Sequence, residues 1–447
     1  MKIDYLAKLR KGEDLTFRQE IAMIWQLSVP AILAQISSII MQYIDASMVG
    51  QLGAGDSASI GLISTSTWLF GGLCSAAAAG FTVQVAHRIG AGDELGARGL
   101  VRHGLFLTML YALGLMAIAM LISVPLPTWL GGAPVIRCEA SKYFFIYAMM
   151  LPLMEINHTA GGMLQCSGNM KVPSILNILM CVMDVLFNYL FIFVLHMGVT
   201  GAALGTLAAE AVGCLLMLYF LLVKSESLHL RKEKVNRLSK QELKTALRIS
   251  LPVAFESTIT GGAYVAMTLI VAPLGTIAIA ANSFSITAES LCYMPGYGIG
   301  AAATTLIGQT YGAKRMKLAK RLGWLTTLLG MAVMTVMGVL MFFLAPVMIG
   351  VLTPVPAVRS LGTEILRIEA FAEPLYAASI VASGVLRGAG NTLTSSILNL
   401  ISMWCVRLPL AAMLAPVYGL KGVWIAMALE LCVRGFLFLI KLLRSKF

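Results

Sequence analysis

The chain repeats itself at a fixed interval. Pro30 matches Pro252, and Gly53 in QLG matches Gly275 in PLG. Gly90-Ala91 matches Gly312-Ala313, Pro152-Leu153 matches Pro374-Leu375, and Gly168-Asn169 matches Gly390-Asn391. The run Ser174 to Asn177 (SILN) recurs as Ser396 to Asn399. All these pairs are 222 residues apart, and near the ends Gly198 and Gly201 match Gly419 and Gly422 at 221. A constant register over this distance means two copies of one structural unit, so whatever the first half folds into, the second must too.

The unit is a membrane bundle. Of 447 residues, 58% are hydrophobic and only 12% charged, against roughly 25% charged in soluble domains. Leu105 to Val124 carries no charge, and about 20 such residues cross a bilayer core. Hydropathy and breakers predict helices over residues 20–49, 57–86, 101–125, 139–165, 172–196 and 200–223. The second copy is expected over 246–273, 278–308, 322–351, 361–386, 393–416 and 420–440. The expected fold is thus all-α and integral to the membrane, with twelve spans in two six-helix lobes. Six is even, so both copies enter from the same side. The repeat is then parallel, with its axis along the membrane normal and a cleft expected between lobes. The domain reading is a segment 1–19, an N-lobe 20–223, a linker 224–245, a C-lobe 246–440 and a tail 441–447.

The net charge of +12 has a topological explanation and needs no nucleic-acid partner. Lys and Arg gather in residues 1–20, 87–103, 224–248, 309–321 and after 440. By the positive-inside rule these segments and both termini are cytoplasmic in a multi-pass protein of the cell membrane. Thr16 to Gln19 reads as a cap for the first helix. The eight cysteines form no CxxC pair and read as small buried hydrophobes. No HExxH, GxSxG or Walker-type loop is present, so neither an enzyme, an organic cofactor nor ATP drive is expected.

Function should lie in the few ionisable groups at membrane depth, each of which costs about 2.5–3.5 kcal/mol or more to place there. Asp184 leads. With Asn177 and Asn188 it falls at i, i+7 and i+11, one polar stripe on an otherwise apolar helix. Carboxylate and amide oxygens suit a small hard cation, and a desolvated Asp suits a proton. Asp45 lies in the outer part of the first span, in the same half of the lobe as Asp184. In the second copy Glu256 and Glu289 have no acidic counterparts, since Ala34 and Thr67 stand there. Glu289, with Glu256 and Tyr293, is read as binding a cationic substrate; pairing of Glu289 with Arg407 is the alternative. Glu155 and His158 are expected to share a structural hydrogen bond. Glu369 and Glu373 read as a site or as a solvated or paired helix end, and Glu210 and Glu430 as packing. Trp129 and Trp424 are expected at the membrane interface.

The segments PAILAQISSIIMQYIDASMVGQLGA, GAGDELGAR, GNMKVPSILN and GVTGAALGTLAAE resemble those of the multidrug and toxic compound extrusion (MATE) transporters. LPVAFEST, APLGTIAIAA, MPGYGIGAAATTLIGQTYGA and GVLRGAGNT follow in the same order. The resemblance covers roughly residues 20–440. It implies a secondary antiporter that exports cationic or amphiphilic small molecules as a monomer, driven by Na⁺ or H⁺ entry. It also implies a cation site of a first-span Asp, a fifth-span Asn/Asp pair and a sixth-span Thr. Position by position these are Asp45, Asp184 with Asn188, and Thr206, with Na⁺ at the first three. One departure stands out: a well-known branch has Asn first and Asp four residues later, and here the order is reversed. A flippase for a lipid-linked or amphiphilic molecule is the alternative on the same architecture.

Overall fold

The computed structural model describes residues 5–10, 13–230 and 239–445. Residues 231–238 of the expected linker, 1–4 and 11–12 of the N-terminal segment and 446–447 of the tail lie outside the described residues. Within the described residues the chain is helical with no strand. A short α1 (Tyr5–Arg10) precedes six spans: α2 (Phe17–Leu52), α3 (Ala54–Gly90), α4 (Glu94–Ile122), α6 (Pro134–Cys166), α7 (Lys171–Tyr189) and α8 (Gly198–Tyr219). The one-turn α5 (Leu126–Trp129) joins α4 to α6. The second set is α9 (Lys240–Val271), α10 (Thr276–Gly312), α11 (Met316–Leu352), α12 (Pro356–Ala370) with α13 (Glu373–Gly388), α14 (Thr392–Ile401) with α15 (Leu408–Tyr418), and α16 (Leu420–Arg444). The twelve expected spans are all present. The Thr16 amide donates to Gln19 Oε1 at 3.0 Å, so the predicted cap opens α2. Helix α9 starts at Lys240, taking the end of the expected linker into the span.

The turns carry the repeat as faithfully as the helices. Gly168 and Gly390 both have positive φ, 98° and 79°. Each is followed by an amide that reaches back five residues, Asn169 to the Leu164 carbonyl at 3.1 Å and Asn391 to that of Leu386 at 2.8 Å. This is the glycine-based helix ending. Asn169 and Asn391 then cap the next helix from their side chains.

Contacts group the residues into two units, 37–257 and 1–36 with 258–447. Both boundaries fall inside a long helix, one to two turns beyond Pro30 in α2 and Pro252 in α9.

Nine helices among the described residues are long and apolar enough to cross a membrane on composition alone. The other three spans differ: α12 and α13, of 15 and 16 residues, are each too short because the helix breaks between them, while α6 and α10 carry polar cargo. Glu155 and Asn157 sit on α6, Glu289 on α10, and Glu369 and Glu373 on α12 and α13, all buried. The lipid-facing helices show the reverse pattern. On α11 small residues line the inner stripe (Gly323, Thr327, Gly330, Gly338, Ala345), while Phe343 is 72% and Val351 82% exposed. Large apolar side chains outside and small ones inside is the arrangement that lipid favours.

Glycines set the closest helix contacts. The run Gly296-x-Gly298-x-Gly300 on α10 reads as close packing rather than a phosphate loop, and a Cβ on Gly298 would lie 2.7 Å from the Ile32 backbone nitrogen. A Cβ on Gly388 of α13 would lie 2.6 Å from the Thr304 carbonyl and 3.2 Å from the Gly308 amide. Thr304 donates to the Gly384 carbonyl at 3.0 Å across the same interface. Trp424 corrects its expected interfacial place: it is 1% exposed, with its indole donating to Asn282 Oδ1 at 2.9 Å. Trp129 is exposed.

Candidate cation site and buried carboxylates

In the unit of residues 37–257, α2, α7 and α8 bring four of the expected residues together. Asp184 and Asn188 are buried, one turn apart on α7; Asp45 and Thr206 are half-buried. The Asn188 amide donates to Asp45 Oδ1 at 3.0 Å and to Asp184 Oδ2 at 3.1 Å. Thr206 donates its hydroxyl to the Ala202 carbonyl at 3.2 Å and stands beside Asp184. Asn177, the fifth expected residue, lies two turns away on α7, about 10 Å along the axis, and takes no part in these bonds.

The donor count gives the cluster its chemistry. Asn188 has two N–H groups and both are spent, one on each carboxylate. Asp184 Oδ1 and Asn188 Oδ1 are then buried without a hydrogen-bond partner. Two carboxylates and two orphaned acceptor oxygens in an apolar interior fit a group that brings positive charge or a proton. The reversed order of Asp and Asn along α7 still places both on the Asp45 side, because residues four apart share a helix face.

A glycine stripe that sequence reasoning passed over makes this possible. Gly201, Gly205, Ala209 and Gly213 recur every four residues on the buried face of α8. A Cβ on Gly205 would stand 2.9 Å from the Asn188 backbone nitrogen and 3.0 Å from its Cα. Gly205→Ala must therefore push α7 away and move Asn188. The expected result is an overpacking cost of about 1–3 kcal/mol together with lost transport, checked by thermal unfolding and uptake on the same preparation. Transport and stability both at the wild-type level would show that the close approach is dispensable. The signal was in the sequence as small residues four apart.

Deeper in the same unit, Asn157 donates to Glu210 Oε1 at 2.8 Å. Glu210 is thus a hydrogen-bonded group one turn from Thr206, more than packing. Glu155 is fully buried and accepts from Thr159 at 3.1 Å, with the Cys74 thiol beside it and Oε2 unpartnered. The expected Glu155–His158 bond is absent: His158 points to the exposed side of α6, while Thr159, four residues on, shares the face of Glu155. Glu256 is half-buried and belongs to this unit.

In the unit of residues 1–36 and 258–447, Glu289, Glu369 and Glu373 are all buried and are electrostatic neighbours. Neither oxygen of Glu369 has a hydrogen-bond partner, and Glu373 has only the Cys292 thiol beside it. The reading of these two as a solvated or paired helix end is corrected. They flank a break between α12 and α13 at which Ala372 is buried and Phe371 points outward, 76% exposed. Pro374, second in α13, lacks an N–H for the Ala370 carbonyl and interrupts the helix. Gly338 of α11 fits against the break, where a Cβ would lie 2.9 Å from that carbonyl. Nearby Arg367 turns away onto the Phe342 ring at 5.3 Å.

Arg407 does not pair with Glu289. Its Nε and Nη2 donate to Glu430 Oε2 at 2.9 and 2.6 Å. Arg434 donates to the same carboxylate at 2.7 and 2.8 Å, and the Ser402 hydroxyl adds a short bond. Ser402 and Arg407 sit in a π-helical stretch, Ser402–Arg407, that interrupts the span between α14 and α15. Tyr293 is half-buried in an edge-to-face array with Tyr297 at 5.9 Å and Tyr376 at 5.6 Å. Of these rings Tyr293 neighbours Glu289 and Glu373.

A doubled set of six membrane-spanning helices with acids buried at mid-span defines a multi-pass membrane protein. The chain belongs to the MatE family, whose model matches residues 30–190 and again 252–413. The two matches restate the repeat. Among relatives, a probable multidrug resistance protein NorM of Thermotoga maritima is 29% identical over 98% of this chain and 95% of its own. An uncharacterized transporter YisQ of Bacillus subtilis is 24% identical over 96% and 94%. Among solved structures, a MATE protein in complex with MaL6 superposes with a TM-score of 0.92 at 21% identity, covering 99% and 98% of the two chains. An outward-facing multidrug resistance MATE transporter of the MOP superfamily gives 0.91 at 20%, over the full length of both.

Proposed function

We propose that this protein is a cation-coupled antiporter that exports organic cations across the cell membrane, with both termini in the cytoplasm. The observation that carries the reading is the Asp45–Asn188–Asp184 cluster. It is a pair of carboxylates with orphaned acceptor oxygens and no basic side chain in its hydrogen bonds. Such a cluster is held more favourably when Na⁺ or a proton neutralises it. Asp45, Asp184 Oδ1, Asn188 Oδ1 and Thr206 would supply the oxygens. Binding of the entering cation there and release of the organic cation are then linked through one conformational equilibrium. The relatives' names, multidrug resistance protein and transporter, support the same activity.

The tyrosine array, which meets Glu289 and Glu373 through Tyr293, supports the substrate class. A cation is drawn to ring faces and to carboxylates, and Tyr293 and Glu289 offer both. A flippase for an anionic amphiphile would call for intramembrane cations free to meet it; Arg407 and Arg434 are both spent on Glu430.

The test is uptake of a fluorescent organic cation into proteoliposomes under imposed Na⁺ or pH gradients. Accumulation that follows one gradient and collapses when that gradient is dissipated is the expected result. Accumulation indifferent to both would overturn the coupling.

A further inference from the structure

We propose that Glu210, closed against Asn157, is a second proton site, one turn inward of the Asp184 cluster. Its role in transport rests on the antiport reading above; its chemistry does not. Asn157 has an unspent oxygen. Its amide donates to Glu210 Oε1 at 2.8 Å and lies 3.5 Å from the Met180 sulfur, so its N–H groups have places to go. Its Oδ1 is buried with no hydrogen-bond partner, on a residue 5% exposed. A carboxylate has no donor for that oxygen; a carboxylic acid has one. With a proton on Oε2, Glu210 accepts from Asn157 through one oxygen and donates to Asn157 Oδ1 through the other. One proton thus completes a cyclic acid–amide pair, satisfies the orphaned acceptor and neutralises the acid.

The surroundings call for that proton. Glu210 is buried near the middle of α8, where an unneutralised carboxylate is costly. Among the described residues, the titratable groups that face it are Asp184 on α7, Tyr147 on α6 and Cys214 one turn further along α8. None is basic, and the one side chain bonded to it is the neutral Asn157. A hard metal ion takes about six oxygens. Glu210 and Asn157 together present three, and Met180 and Cys214 bring only sulfur. The cation this pocket fits is therefore the smallest one.

The repeat ties Glu210 to the cluster. At 222 residues Met267 stands for Asp45, Val406 for Asp184 and Leu410 for Asn188; at 221 Met427 stands for Thr206 and Leu431 for Glu210. The five positions are polar together in one copy and apolar together in the other, as parts of one device are. Asn157 is matched by Ser379, which has no amide. Position gives the order of use. Thr206 and Glu210 share a face of α8, about 6 Å apart along its axis. In the topology proposed above, α8 runs from the outer side to the cytoplasm, so a proton leaving the cluster inward meets Glu210 next. One O–H bond breaks at the cluster, one forms at Glu210 Oε2, and nothing else is consumed.

The experiment is infrared difference spectroscopy of the purified full chain between acid and alkaline pH, paired with organic-cation uptake into proteoliposomes under an imposed pH gradient. The wild type is expected to show the carbonyl band of a hydrogen-bonded carboxylic acid. Glu210→Gln should lack that band, and Asn157→Leu should shift it, because the acid then loses its amide partner. Glutamine offers Asn157 the same acceptor and donor as the protonated acid. Glu210→Gln should therefore melt no lower than the wild type while its uptake falls at least about tenfold. A Glu210→Gln spectrum identical to that of the wild type would overturn the proposal, and so would uptake by this variant at the wild-type rate. Wild-type uptake driven by a Na⁺ gradient alone would overturn the inward relay. Wild-type uptake indifferent to both gradients would instead count against the antiport reading, and the Glu210 band would still decide whether this residue holds a proton.

Discussion

Asp184→Asn should reduce gradient-driven transport to background. The substitution keeps the shape of the side chain and an oxygen for the Asn188 amide, which donates to Asp184 Oδ2 at 3.1 Å. What it removes is the charge that a coupling cation would neutralise, and with it the exchangeable proton. Fold and function should therefore separate: unfolding temperature near the wild-type value, uptake down at least about tenfold, equivalent to about 1.4 kcal/mol. Asp45→Asn should act in the same direction, since both carboxylates hang on one amide. Groups that work as a unit are not additive, so the double variant should be scarcely worse than either single one. Transport by Asp184→Asn at the wild-type rate would take Asp184 out of coupling. An additive double variant would mean two separate sites.

How far the sequence led differs between residues in ways that have causes. The twelve spans were legible because lipid forbids unsatisfied backbone, and the 222-residue register made each half a check on the other. Asp184 and Asn188 were legible because two polar residues one turn apart on an apolar helix leave few explanations. Their tie to Asp45 was not a local property. It needs α7 and α8 to close on each other, and the glycines that allow it, Gly201, Gly205 and Gly213, carry no chemistry to attract notice. Glu369 and Glu373 looked like a helix end because they are one; Pro374 does break the helix. That Glu373 is buried at that end depends on Gly338 of another helix, which no local pattern shows. Trp424 and His158 were misplaced for a related reason: side-chain type suggests a preferred environment, but which helix face meets protein decides it.

Arg407 and Glu430 show the same limit and carry the largest stability effect expected here. Glu430 and Arg434 are four residues apart, a spacing at which an ion pair on one helix face is readable. Arg407 joins them only through the tertiary fold, 23 residues earlier in the chain. Glu430 is fully buried, Arg407 6% exposed, and four charge-assisted hydrogen bonds and the Ser402 hydroxyl converge on one carboxylate. Taking three charges out of water is itself costly, so the assembled triad adds little net stability. Breaking it is another matter. Glu430→Gln leaves two guanidinium groups buried against a neutral amide, which should destabilise the protein by about 3–5 kcal/mol. Arg407→Leu should cost less, because Arg434 still neutralises Glu430 with two bonds of its own. Replacing all three charged residues by apolar side chains of similar volume should recover most of the loss. Thermal unfolding of the four proteins in one detergent reads these differences directly. A triple variant as unstable as Glu430→Gln would show that the triad holds the π-helical segment Ser402–Arg407 in place rather than merely compensating its own buried charge.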